Sequence, residues 1–426
     1  MEHCESVSVV VTEEVRQSSP PPPVWIFALL ALPNATFTNG FVSTVMPSLL
    51  RSEHLSLEAI ANMSALISLP PAFYFLWSPI VDFLIRRRTW IAVSGCVTGA
   101  LLCAALQTPM LGAPGPRTLL VLAMCVSLLM SASLGGLMAA LVPAEQKARA
   151  GGFYQVGNCG LAALAGGGLL YLSQHLGRHE FGIVGGSMIA VPALLALFLK
   201  EPEVVGKHDP YGVVMRRVGT EFMDTFFKWK SVPVLLMLCA PFASGAALGL
   251  LPSLAPDYGV SVEQVAWMNG LGGGLLTALG ALLVGFLKMP EDIRPVYAGL
   301  GLVNAATLGI LLVGHPRPTT YLASVTLYMI TIGAAYGVFT ALVLRLLGIS
   351  GKSGGSRYAI AVSLGNLPIF YMTVVDGLGA RWFGTKGEPG IDMFVSGLAA
   401  MLALAWFYWE RRRSSQINQL PEQVVA

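Results

Sequence analysis

Charge is scarce in this chain. Only 12% of its 426 residues are Asp, Glu, Lys or Arg, whereas 54% are hydrophobic, and a soluble protein of ordinary composition is about 25% charged. So few charges cannot cover the surface of a soluble protein this long, so the chain belongs in a bilayer. The six cysteines show no CxxC or metal-ligand spacing and nearly all sit in apolar runs. They read as small buried hydrophobes. The six histidines fall in tails or loops. No His/Cys metal cluster and no nucleophile–base constellation follow, which excludes catalysis and leaves no cofactor to expect. Gly351-Lys352-Ser353 is not a phosphate loop, because Leu346 stands where that pattern needs glycine. The net charge of +3 is too small to argue for nucleic acid.

Apolar runs near the ~20 residues needed to cross a bilayer are present instead. Twelve can be drawn, near 24–50, 57–82, 89–108, 117–142, 150–174, 181–200, 232–256, 263–288, 295–314, 318–347, 357–378 and 390–409. They are long, continuous and rich in leucine and alanine, unlike the short alternating segments of a membrane barrel. An all-α membrane protein of twelve transmembrane helices is expected. Residues 1–23 are polar and acidic and end in Pro20–Pro23, without the basic start and apolar core of a signal peptide. They read as a disordered tail.

The second half of the chain faintly copies the first. Pro47, Ser48, Leu49, Glu58, Ala61 and Met63 recur 205 positions on as Pro252, Ser253, Leu254, Glu263, Ala266 and Met268. Arg149, Gly157 and Asn158 recur 208 positions on as Arg357, Gly365 and Asn366. A duplicated bundle of membrane helices is how many secondary transporters are built, with the substrate between the halves. The expected organisation is therefore two pseudo-symmetric six-helix bundles, at 24–200 and 232–410. A linker at 201–231 joins them, and a second tail covers 411–426. In the linker, Met215, Val218, Phe222 and Phe226 recur on one helical face, as in a helix lying at a membrane surface. Placing the amino terminus inside puts 20 of the 26 lysines and arginines in inner segments. Both termini are then cytoplasmic.

Phe75-Leu76-Trp77-Ser78-Pro79-Ile80-Val81-Asp82, followed by Arg86-Arg87-Arg88, resembles the end of helix 2 and the following loop of major facilitator superfamily carriers. The nearest branch is that of AmpG-type muropeptide permeases and acetyl-coenzyme A transporters. Glu145 to Gly152 is similar to that branch's loop before helix 5, and Ser356-Arg357-Tyr358-Ala359 with Gly365-Asn366 to its helix 11. The resemblance implies the major facilitator fold and alternating access. It makes Asp82 with Arg86, Arg87 and Arg88 a gate that latches the inner side. An aspartate at a helix end can indeed pair with nearby arginines and cap another helix. The branch's acidic residues in helix 4 are missing here, where Ser131 to Leu137 holds none. The resemblance also implies import of a muropeptide or related sugar-peptide across a bacterial inner membrane.

The candidate cavity residues are neutral. Asn34, Thr38 and Asn39 lie in span 1, Gln155 and Asn158 in span 5, Asn269 in span 8, Tyr328 and Thr331 in span 10, and Asn366 in span 11. Amides, hydroxyls and phenols suit a polar organic solute, because they donate and accept hydrogen bonds without requiring charge. Arg345, in the inner half of span 10, would attract a carboxylate if it faced the cavity, and otherwise snorkels to the interface. The expected partners are a small polar organic solute and the lipid bilayer, with protons as candidate coupling ion and a monomer as the unit. Carboxylates in or beside a span are limited to Asp82, Asp376 and Asp257, all read as near helix ends. That leaves facilitated diffusion open, and with it a receptor or scaffold that retains the carrier fold.

Overall fold

The computed structural model describes residues 22–417 apart from 56, 68, 83, 202–211, 214–215, 217–218, 221–222, 224–231 and 348–353. Met215, Val218, Phe222 and Phe226, the expected apolar face of the linker, lie outside the described residues. Twelve segments in chain order, α1 to α12, build the fold. Ten are helices long and apolar enough to cross a bilayer: α1 (Ile26–Ser52), α3 (Arg87–Leu106), α4 (Pro114–Leu141), α5 (Ala144–His175), α6 (Arg178–Phe198), α8 (Glu263–Phe286), α9 (Arg294–Val313), α10 (Pro318–Leu347), α11 (Gly354–Phe383) and α12 (Gly387–Arg413).

The other two, expected as continuous spans, are interrupted. α2 is helical over Leu57–Ile67 and then proceeds to Asp82 through three short 3₁₀ turns. Pro70 and Pro71 begin that stretch, and neither offers the N–H an α-helix needs. α7 is two pieces, Val232–Leu238 and Ala247–Leu254. Between them lies Pro241, and Ala243 (φ 56°) and Gly245 (φ 78°) take left-handed backbone that no α-helix continues through. α12 instead outruns its expectation. Helix persists to Ile417, with Arg412 and Arg413 stacked on Tyr408 and Trp409.

Close approach of small residues holds neighbouring helices together, as expected where lipid supplies no hydrophobic drive between them. A methyl at Gly99 would strike the carbonyl of Gly186 across the α3–α6 seam. One at Gly280 would strike Ile330 across the α8–α10 seam. Two apolar cores result. One lies in the first half and reaches Ala359 of α11, and the larger fills the second half and crosses to Leu30, Leu137, Met138 and Tyr154.

The first half is fastened at both ends. At one end the Glu53 carboxylate accepts hydrogen bonds from Leu111 N (2.7 Å), Gly112 N (3.1 Å) and Arg178 Nη2 (2.7 Å). This ties the α1–α2 turn to the α3–α4 and α5–α6 turns. Burial pushes the Glu53 carboxyl up, but these donors outweigh it and hold it below the usual glutamate value. At the opposite end Glu201, just past α6, accepts the N–H groups of Arg87 (3.2 Å) and Arg88 (3.1 Å), capping α3.

Candidate functional site

Between the halves lies a cavity of about 910 Å³, large enough for a drug-sized solute. Asn39, Gln155 and Asn158 line it from the first half and Asn366 from the second. Around them stand Tyr154, Trp267, Tyr297, Tyr336, Phe339 and Tyr358, with Ser43, Thr44, Ser244, Thr277 and Thr340 between. Among the described residues the lining includes no charged side chain.

The amides are wired together. Asn39 Nδ2 donates to the Asn158 carbonyl (2.8 Å), and Asn158 Nδ2 to Gln155 Oε1 (3.1 Å). Gln155 Nε2 then donates to Thr340 Oγ1 (3.1 Å), and that hydroxyl to the Tyr336 carbonyl (2.9 Å). One chain of hydrogen bonds thus runs from α1 through α5 to α10 in the other half. Asn39 and Asn158 lie in π-helical stretches, Thr36–Val45 and Val156–Leu161. Such stretches turn side chains off the α-helical face they would otherwise share.

The other candidates stand elsewhere. Thr38 gives its hydroxyl to the carbonyl of Asn34 (3.1 Å), and Asn34 Oδ1 is buried in the first half. Neither lines the cavity. Thr331 and the Tyr328 carbonyl instead receive Asn304 Nδ2 of α9 (2.9 and 3.1 Å). This is interhelical bonding within the second half. Arg345 turns away and donates to the carbonyls of Pro290 (2.9 Å) and Glu291 (2.6 Å), so its charge goes to the interface rather than the cavity. Asn269 ends the first piece of α8, and its side chain lies outside the described residues. The aromatic lining escaped sequence reasoning, since an aromatic in a membrane helix reads equally well as packing or as interface anchor.

The two halves are clasped at the Asp82 end. Asp82 pairs with Arg87 (2.9 Å), and the two side chains are 1% and 3% exposed. The same carboxylate accepts Gly355 N (3.0 Å), Ser356 N (2.7 Å) and Ser356 Oγ (2.5 Å), capping the start of α11 in the opposite half. Arg88 reaches back within its own half to the carbonyls of Leu197 and Leu199. Arg86 immediately precedes α3. Two further contacts cross the seam here. Lys147 Nζ donates to the Leu344 carbonyl at the end of α10 (2.8 Å), and the Arg149 guanidinium stands 5.3 Å from the Phe286 ring centre. At the end where Ser43, Thr44 and Leu248 line the cavity, α1 and the Ala247–Leu254 piece of α7 pack chiefly within their own halves. The halves are joined at one end and parted at the other.

Two six-helix halves around a polar central cavity define a membrane carrier of the alternating-access kind. The Major Facilitator Superfamily model matches residues 27–373, and the chain belongs to that superfamily. Its fold is similar to that of the proton:xylose symporter XylE bound to 6-bromo-6-deoxy-D-glucose. That likeness has a TM-score of 0.64 at 15% identity and covers 90% of this chain and 94% of the other. It is also similar to the human organic anion transporter MFSD10 (TETRAN), with a TM-score of 0.66 at 14% identity, covering 90% and 100%. The protein is a secondary carrier and not an enzyme.

Proposed function

We propose that this carrier moves an uncharged polar organic solute bearing hydroxyl or amide groups, such as a sugar or the sugar portion of a sugar-peptide. The observation that carries this reading is the cavity lining, which has four amides and six aromatic rings with no charge. Aromatic faces stack on the apolar face of a sugar ring while amides bond its hydroxyls. A muropeptide fits less well in one respect, because Arg345, the cation expected to receive a carboxylate, is bound at Pro290 and Glu291.

In this proposal the carrier sits as a monomer with both termini and the Asp82 end at the cytoplasmic face, and the cavity faces outward. Asp82, Arg87 and Ser356 act as the inner latch. Their contacts must part before solute can leave inward, which is the bistable element alternating access requires. Purified protein in proteoliposomes is tested with labelled neutral sugars, an anhydro-muropeptide and an organic anion. Saturable uptake of a neutral sugar, competed by its amide derivatives, is expected. Uptake of the anion alone overturns the neutral-solute reading, and no uptake of any class overturns transport through this cavity.

A further inference from the structure

Three carboxylates lie inside the second half and take no part in the cavity or the latch. Asp376 of α11 is fully buried, and Glu388 and Asp392 of α12 are each 3% exposed. Glu388 and Asp392 are four residues apart and share a face of α12. Asp376 comes in from the neighbouring α11, which packs on α12 at Gly387 and Ile391, and interacts with Asp392. Both Asp376 oxygens, Asp392 Oδ2 and Glu388 Oε1 have no hydrogen-bond donor among the described residues.

Among the described residues, the groups named around them supply no counter-charge. From α10, Tyr321 lies near Glu388, and Tyr328 near Asp392 and Asp376. The Tyr321 hydroxyl goes to the Leu251 carbonyl of α7 instead (3.0 Å). Lys386, in the α11–α12 turn, gives its ammonium to the Leu312 carbonyl of α9 (2.9 Å), and Arg381, in the last turn of α11, is exposed. Facing carboxyl oxygens without a donor are satisfied when a proton sits between them, which supplies the missing hydrogen bond and removes an uncompensated buried charge. Among the described residues no group of three or more His, Cys, Asp or Glu has the placement to hold a metal ion.

The cluster also touches the moving parts. Ser396 Oγ stands 2.8 Å from Asp392 Oδ1 and 3.3 Å from the Pro241 carbonyl in the break of α7. Ala243 and Ser244 of the same break line the cavity, and the Tyr336 hydroxyl holds the Ser244 carbonyl (3.3 Å). At the other extreme Glu388 follows a turn whose Gly384 and Lys386 are exposed. The buried carboxylates thus lie between the exposed α11–α12 turn and the Ser396–Pro241 contact beside the cavity wall.

We propose that Asp376, Glu388 and Asp392 form the proton site of this carrier. A proton enters from water at Glu388, rests between Asp376 and Asp392, and is read out through Ser396 by the interrupted segment of α7. This rests on the carrier reading for its coupling, but not for proton binding itself. Two measurements on the full-length protein test it. Infrared difference spectra of the solute-free protein across a pH titration are expected to show a protonated-carboxyl band that Asp376→Asn and Asp392→Asn each abolish and that the exposed Asp257→Asn leaves in place. Isosteric Glu388→Gln is expected to slow its appearance. In proteoliposomes, the ratio of gradient-driven accumulation to counterflow is expected to fall about tenfold or more in each cluster variant, as for a lost intramembrane proton carrier. A band unchanged in all three cluster variants overturns the proposal, as does dependence on sodium rather than pH. If no solute is carried, the infrared result still decides the proton site while the functional reading alone fails.

Discussion

α1 and α7 hold equivalent places in the two halves, yet α1 runs from Ile26 to Ser52 through a π-helical stretch, whereas α7 stops at Leu238 and resumes at Ala247. The loops after α2 and α8 diverge in the same way. Asp82 is buried, pairs with Arg87 and caps α11 across the seam. Asp292, in the corresponding loop of the second half, is 46% exposed at its side chain and among the described residues pairs with Arg294, two residues on. Burial pushes the Asp292 carboxyl up, but the side chain and N–H of Arg294 outweigh it and hold it below the usual aspartate value. One copy of the duplicated unit carries the clasp, and the other carries the interrupted helix of α7. A carrier needs both a contact that can let go and a segment that can move.

The largest expected effect comes from breaking the clasp in one half only. Asp82→Asn removes the carboxylate from the buried Asp82–Arg87 pair, at a cost of about 3 kcal/mol. Spin-label distances between α4 and α11 at the Asp82 end should then shift toward the parted state by about 100-fold in population. Asp292→Asn, at an exposed carboxylate, should shift the same equilibrium by less than about 0.5 kcal/mol. Equal responses would erase the asymmetry between the loops.

Next in size is the seam itself. A Cβ at Gly151 would lie 2.8 Å from the Gly337 carbonyl and one at Gly152 2.7 Å from that of Ala281, whereas one at Gly167 meets nothing within 4 Å. Gly151→Val should disfavour the clasped state by about 1–3 kcal/mol, read as faster thiol labelling of a cysteine placed at Ala341, and Gly167→Val should leave it unchanged. A smaller effect separates the paired asparagines. Asn158→Ala removes a cavity amide and the partner of Gln155, and should raise the apparent Km for solute by about tenfold. Asn366→Ala removes its counterpart on the other wall and should raise it less.

The smallest effect is at Glu53, at the far end of the first half. Because its carboxyl is held below the usual glutamate value, its contribution to stability is complete above that value. It is lost as pH falls through the lowered one. Glu53→Gln should cost about 1 kcal/mol at neutral pH, and its thermal stability should converge on that of the parent protein as the solution is acidified.

Much of this was legible from residues alone. The Asp82 motif fell at the place of the clasp, and the echo of Asn158 in Asn366 fell on two residues that line the cavity from opposite halves. Asn34, Thr38, Tyr328, Thr331 and Arg345 were misplaced because a membrane helix is apolar on every side. Its hydropathy carries no period that says which face meets lipid, partner helix or water. Carboxylates of the spans are not limited to Asp82, Asp376 and Asp257, since Asp392 lies inside the span at 390–409; it and Glu388 are buried like Asp376 where α11 and α12 pack closely at Gly379 and Gly387.

What the sequence determined by itself is therefore the set of spans, their duplication and the basic bias of their loops. A backbone in hydrocarbon must satisfy its own hydrogen bonds, so local apolarity alone dictates helix. Tertiary structure alone decided the break in α7, the π-helical turns that aim Asn39 and Asn158, and which polar side chains meet. Those outcomes depend on how one helix's small residues seat against another's, a relation no single segment contains.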